Sequence, residues 1–229
     1  TQSRSSAASD VYKRQTFDDG SANIFYNSLY YNDNRTLMQK IAYFIVGSRF
    51  TLEKIKKVSV VHYTIYKDRE NIIDNLVFID LFNIDEVSNE DNDGYLIKYS
   101  ECNVLLGTFY RYVTDFEEKV KSNLSDTFLK YDNFIFIPHP MEPNENIKCM
   151  NLAVDSDLIA EDIIISLMKK YKKINLYGIA SSALIPFVDC EWCNVYTIKS
   201  KLFSNECNEL SDNLIFLGIN AFDLDETEL

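Results

Sequence analysis

The chain has 229 residues, of which 46% are hydrophobic and 25% charged, and its formal net charge is −12. That composition describes a globular chain with a real core, not a fibrous or disordered one. The acidic balance argues against nucleic acid as a partner, since phosphate backbones need clustered Lys and Arg. No apolar run is long enough to cross a bilayer as a helix. Five cysteines, Cys102, Cys149, Cys190, Cys193 and Cys207, form an odd and irregularly spaced set that does not suit a disulfide framework. Cys190 and Cys193 make one C-x-x-C, a weak signal for zinc or redox chemistry, so reduced thiols are the expectation.

The chain opens with a stretch unlike the rest. Ser5 to Gln15, "SSAASDVYKRQ", is small and polar, then basic. Its back-translation resembles a transposon-type sequencing adaptor read in frame. Residues 1–15 are therefore expected to be non-native and are excluded from fold reasoning. A disordered tail is the alternative. On this reading the gene enters in mid-domain at Thr16, and the chain alone is expected to be inactive.

Next comes "TFDDGSANIF", with Asp18 and Asp19 before Gly20. Leu37, Ile41, Phe44 and Ile45 then recur at helical spacing, predicting a helix over 35–46 with Asn34 or Thr36 at its cap. "KVSVVHYTIY" and "NLVFIDLF" read as strands. The polar run "NEDNDG" (89–94) marks the best internal boundary. Beyond it, "NVLLGTF" is a strand, 114–131 an amphipathic helix, "NFIFIPHP" a strand ending in a turn, and 155–171 a helix capped near Asp155 or Ser156. "KINLYG" is a strand, "SSALIPFV" opens a helix, and "NVYTI" and "NLIFLGI" close the series as strands. Lys169, Lys170, Lys172 and Lys173 form a local basic patch, either a binding surface or a solvated helix end. Strands alternating with helices imply a parallel sheet with helices on both faces, an α/β fold.

In such a sheet, ligands sit beyond the carboxyl ends of the strands. Two short motifs fall there. His139 and Pro140 follow "NFIFI"; an imidazolium can bind phosphate or protonate a leaving group, though a turn histidine is the plain alternative. Gly178, Ser181 and Ser182 follow "KINLY", where hydroxyls at a helix start attract an anion or merely cap it. Glu161, in "LIAEDIII", is either a ribose ligand or a solvated helix charge. Asp18 and Asp19 are either a general base pair or an acidic turn.

The order "DDGSAN", "PHPME", "IAEDII", "YGIASSAL" resembles glycosyltransferase family 52, which includes bacterial lipooligosaccharide sialyltransferases and shares short motifs with bacterial polysialyltransferases. The resemblance runs from Thr16 to about Phe187. It implies a GT-B architecture, here truncated: 16–94 as the remnant of an N-terminal, acceptor-side Rossmann-like domain, and 95–229 as a largely complete C-terminal Rossmann-like nucleotide-binding domain. It implies an inverting, metal-independent transfer from CMP-sialic acid to a bacterial surface glycan, with no cofactor. By position it assigns the base to Asp18 or Asp19, the CMP phosphate contact to His139 and Pro140, the ribose contact to Glu161, and phosphate binding to Gly178, Ser181 and Ser182. Two positions depart from the family pattern: Ile137 stands where a Lys is common, and Met141 where an Arg is common. The resemblance also implies a cytoplasmic enzyme, peripheral at the inner membrane face, with homodimerisation as an expectation for the full-length protein. A relative using another nucleotide sugar, or a non-catalytic Rossmann-type module, are the alternative readings.

Overall fold

A computed structural model describes residues 14–18, 20–26, 28, 30–31, 36–45, 52–81, 99–141 and 158–225. The chain divides into two compact units, Thr1–Leu81 and Phe82–Leu229. The boundary expected at 94/95 lies outside the described residues, as do the helix caps expected at Asn34, Asp155 and Ser156.

The first unit carries a three-stranded parallel sheet in the order β1 (Gln15–Phe17), β2 (Val61–Thr64), β3 (Leu76–Phe78). The ladder begins at the end of the adaptor-like segment: Gln15 pairs with Val61, and the Arg14 carbonyl accepts from the Val60 N–H at 2.9 Å. Helix α1 spans Leu37–Ile45. Thr36 and Gln39 start it with a reciprocal capping box: the Gln39 N–H donates to Thr36 Oγ1 at 3.3 Å, and the Thr36 N–H to Gln39 Oε1 at 2.9 Å. A second helix, α2 (Leu52–Val58), was not anticipated, and its last residues take the start of the run read as one long strand. The core of this unit is small, with Ile24, Tyr66 and Ile73 buried beside the polar Asn23, His62 and Thr64. Leu37, Met38, Ile41 and Ile45 of α1 and all of β3 are exposed.

The second unit is a five-stranded parallel sheet in the order β5-β4-β6-β7-β8. Its strands are β4 (Tyr99–Leu106), β5 (Phe134–Ile137), β6 (Tyr171–Gly178), β7 (Cys193–Lys199) and β8 (Asn220–Asp223). Helices α3 (Glu117–Phe128), α4 (Ala160–Met168) and α5 (Asn205–Phe216) make three of the crossovers. This is the α/β arrangement that the alternation predicted. Two elements differ from expectation. "NLIFLGI" is not a strand: its first half finishes α5, because Ser204 Oγ caps that helix and Cys207, Ser211 and Leu214 bury at helical spacing. Gly218, at φ +100°, follows the helix end and turns the chain into β8. The segment after β6 is a six-residue 3-10 helix, Ser182–Phe187, with Pro186 inside it.

One cluster of aromatic rings binds the sheet to α3. Phe128 meets Tyr177 edge-on at 4.9 Å and stacks on Phe134 at 5.3 Å; Tyr177 stacks on Tyr196 at 4.8 Å. Strand alternation places Leu105 and Tyr177 on this face and Val104 and Leu176 on the opposite one. A polar ladder crosses the same strands in register: Asn194 Nδ2 donates to Asn175 Oδ1 at 2.8 Å, and Asn175 Nδ2 to Asn103 Oδ1 at 3.1 Å. Buried amides tolerate no mispairing, so the ladder resists a register slip that hydrophobic contacts alone would allow.

Cys102, Cys190, Cys193 and Cys207 are free thiols, and Cys149 lies outside the described residues. Burial, reinforced by nearby Cys190, pushes the Cys193 thiol up to about 12. At neutral pH it is a protonated, inert group rather than a redox thiolate. The basic patch lies at the end of α4 and the start of β6, where Lys173 Nζ donates to the Glu191 carbonyl at 3.1 Å. Among the described residues no helix is long and apolar enough to cross a membrane.

Phe128 is fully buried at the centre of the aromatic cluster. Phe128→Ala is expected to lower unfolding free energy by about 3–5 kcal/mol, measured by urea denaturation. A loss under about 1 kcal/mol would mean that α3 does not pack on this sheet as described.

Candidate functional site

The strand order reverses beside β4. The chain leaves β4 for β5 on one side, then crosses to β6 on the other. Loops leaving the carboxyl ends of β4 and β6 therefore diverge and open a crevice, the usual ligand position in an open α/β sheet. Glycines stand at both lips. Gly178 ends β6, and Gly107 follows β4.

Gly107 sets how close β5 can come. Its N–H donates to the Ile137 carbonyl at 2.7 Å. A Cβ there would fall 2.6 Å from the His139 backbone nitrogen and 3.1 Å from the Ile137 carbonyl oxygen, so any side chain forces backbone apart. Sequence reasoning passed over Gly107; its signal was a glycine directly after a buried strand, the usual mark of a close backbone approach.

His139 is half-buried beyond β5, with its ring 6.4 Å from that of Phe109. The Met141 N–H donates to His139 Nδ1 at 3.1 Å. That bond makes Nδ1 an acceptor and places the ring proton on Nε2, the nitrogen left to meet a ligand. In the neutral ring this leaves Nε2–H free to donate to an anion. Pro140 is exposed beside it.

Across the crevice, the turn from β6 contains Ala180 at φ +46°. This left-handed conformation is strained for a residue with a Cβ and costs on the order of 1–2 kcal/mol. Ser181 and Ser182 follow, both half-buried. Ser181 is the cap residue, yet its side chain makes no cap hydrogen bond. The Ser181 hydroxyl is thus not spent on capping this turn. The anion-attracting α-helix terminus expected here is absent as well, because a short 3-10 turn carries little aligned dipole.

Glu161 occupies the first turn of α4. A crossover helix runs antiparallel to its strands, so this turn lies on the carboxyl side of the sheet, the side of His139 and Ser181. The lysine patch falls at the opposite, amino side, and so plays no part in the crevice.

In the first unit, Asp18 follows β1. Its Oδ1 accepts from Asn23 Nδ2 at 2.6 Å and lies 3.0 Å from His62 Nε2; its Oδ2 accepts from the Ile65 N–H at 2.7 Å. Asp18 is more than an acidic turn: it ties the DDG loop to the end of β2. Asn23 Oδ1 is buried and has no partner among the described residues. Asp19 lies outside the described residues. His62 was missed by sequence reasoning, and nothing local marks it, since its side-chain partners Thr16, Asp18 and Asn23 all lie far away in the chain.

The chain matches "Glycosyltransferase family 52" over residues 6–202 and belongs to that family. The match begins inside the adaptor-like segment. A "CMP-N-acetylneuraminate:beta-galactoside alpha-2,3-sialyltransferase" from Pasteurella multocida is 30% identical over 227 residues, covering 96% of this chain and 68% of that protein. Two proteins named "N-acetyllactosaminide alpha-2,3-sialyltransferase" also match. The one from Neisseria meningitidis is 26% identical, covering 81% of this chain and 48% of its own length. The one from Haemophilus influenzae is 29% identical, covering 73% of this chain and 50% of its own length.

Gly107→Ala is expected to cost about 1–3 kcal/mol, the usual penalty for overpacking. It should also displace the His139 amide and imidazole signals in NMR spectra. Unchanged signals would show that β4 does not press against the His139 backbone.

Proposed function

We propose that this member of glycosyltransferase family 52 carries the nucleotide-binding unit of a GT-B sialyltransferase, which moves sialic acid from CMP-sialic acid to a bacterial surface glycan with inversion and without a catalytic metal. The observation that carries the reading is the strand-order reversal at β4, with His139 beyond the end of β5 and the Ser181 hydroxyl, which makes no cap bond, beyond the end of β6. The names of the relatives supply the donor and acceptor classes. The chain spans 68%, 48% and 50% of those relatives, so transfer itself is proposed for the full-length enzyme.

Each residue then has a task. As the glycosidic bond breaks, negative charge grows on the CMP phosphate. His139 Nε2–H and the hydroxyls of Ser181 and Ser182 donate hydrogen bonds to it, and fixed donors are worth most where charge develops. Gly178 lets backbone come close to the phosphate. Glu161 accepts from the ribose hydroxyls. An Asp of the DDG pair removes the proton of the acceptor hydroxyl as it attacks. His139 also stands where it can give a proton to the departing phosphate. Donors of this kind can stand in for a bridging cation, and among the described residues no group of three or more His, Cys, Asp or Glu could hold a metal ion.

Titration calorimetry with CMP, UDP and GDP tests the donor class. Trp192 packs edge-on against Phe187, at the far end of the 3-10 turn from Ser182, so its fluorescence would be an insensitive reporter. CMP is expected to bind, and UDP and GDP weakly or not at all. UDP binding tighter than CMP would move the assignment to another nucleotide sugar. His139→Ala should weaken CMP by about 1.5–3 kcal/mol, the worth of a hydrogen bond to a charged group, with the melting temperature held. Full CMP affinity in that variant would remove His139 from the site. In the full-length enzyme, transfer is expected to persist in EDTA; activity lost to chelation and restored by magnesium or manganese would contradict the metal-free reading.

A further inference from the structure

His62 lies outside every motif that the sequence singles out, yet both of its ring nitrogens are engaged. Thr16 and His62 are direct partners in the β1–β2 ladder. Thr16 Oγ1 stands 2.9 Å from His62 Nδ1, and its other acceptor, the Val61 carbonyl, is farther at 3.5 Å. A hydroxyl donating to Nδ1 leaves the ring proton on Nε2. Nε2–H then donates to Asp18 Oδ1 at 3.0 Å. The imidazole is 1% exposed, so water does not compete for either bond.

The effect falls on the carboxylate. An ionised Asp offers about four lone-pair positions. Oδ1 is filled by two donors, Asn23 Nδ2 and His62 Nε2, while Oδ2 takes only the Ile65 N–H. Among the described residues one position is left over, and it is on Oδ2. An acidic turn needs none of this support, because a side-chain bond to its own loop suffices.

We propose that His62 is a positioning residue that fixes the Asp18 carboxylate through Oδ1, so that Oδ2 is the oxygen that receives the proton of the acceptor hydroxyl. The inference rests on the function proposed above and selects Asp18 over Asp19 as the base. In the step it describes, the acceptor O–H bond breaks and its proton goes to Oδ2. The freed electron pair forms the bond to the anomeric carbon, and the phosphate oxygen of CMP departs with the pair of the broken glycosidic bond. His62 keeps its proton throughout.

Two measurements test it. The chain has only two histidines, so imidazole signals of the histidine-15N-labelled protein are assignable by one His62→Gln variant. His62 is expected to carry its proton on Nε2 and to leave Nδ1 bare, and Asp18→Asn should move the Nε2–H signal. A bare Nε2, or a signal indifferent to Asp18→Asn, overturns the proposal whatever the donor sugar. In the full-length enzyme, His62→Ala should lower kcat on the order of a hundredfold, as expected for a misplaced reacting group, with the donor KM unchanged. His62→Gln, whose amide can also donate toward Oδ1, should recover most of that loss. An unaltered kcat in His62→Ala, or His62→Gln as damaged as His62→Ala, overturns it. Wild-type enzyme that transfers from no donor defeats the function itself and the role of His62 with it, while the labelled spectra still report the clamp.

Discussion

The pairing of β4 with β6 is the constraint on which the second unit depends. The two strands are neighbours in space but not in sequence, and the whole of β5 and α4 lies between them. Their pairing forces the chain to reverse direction across the sheet, and the reversal is what opens a crevice at their carboxyl ends. The same pairing sets Leu105 opposite Tyr177 and Asn103 opposite Asn175. One register therefore aligns an aromatic core, a polar ladder and the lips of a binding site. A slip by one residue would exchange the side chains packed on the two faces of β6 and break the amide ladder at once.

Local signals were enough for the sheet and for most of its helices. "NFIFI" and "KINLY" are too apolar and β-branched for anything but buried strands, and the period of α3 is plain in Val120, Leu124 and Phe128. Failures came where local preference was balanced. "NLIFLGI" is apolar enough for a strand, but Ser204 had already started a helix nine residues earlier, and a capped helix propagates at little cost per residue. After β6, Pro186 removes a backbone donor within the run, which favours a short tight helix over a long one.

The candidate site was legible in a different way. Glycines, serines and His139 are visible as residue types at strand ends, and their placement follows once strands are located. What the sequence does not carry is the state of each polar group. That Ser181 leaves its cap unmade depends on turn geometry, with Ala180 held at positive φ. That His139 presents Nε2 depends on a backbone N–H two residues on. The clamp on Asp18 depends on β1 lying beside β2, a pairing between segments far apart in the chain.

Both histidines follow one logic. Each has Nδ1 occupied, by a backbone N–H at His139 and by the Thr16 hydroxyl at His62, and each therefore directs Nε2–H outward to an acceptor. For His62 that acceptor is present as Asp18; for His139 the proposed acceptor is the phosphate of a nucleotide. This bears on how a chain of net charge −12 would hold an anion. Ile137 is buried and Met141 exposed, so neither of these two positions adds a cation beside His139. Charges spread over the surface act weakly beyond about 8 Å at physiological salt. Donors in direct contact do not suffer that screening, and in a crevice of lowered dielectric each bond to a charged oxygen contributes about 1.5–3 kcal/mol. A few oriented donors can thus outweigh an unfavourable overall charge, provided that their protons point the right way. Fixing the tautomer is what ensures that direction, which makes the backbone of Met141 matter more to the proposed site than its side chain.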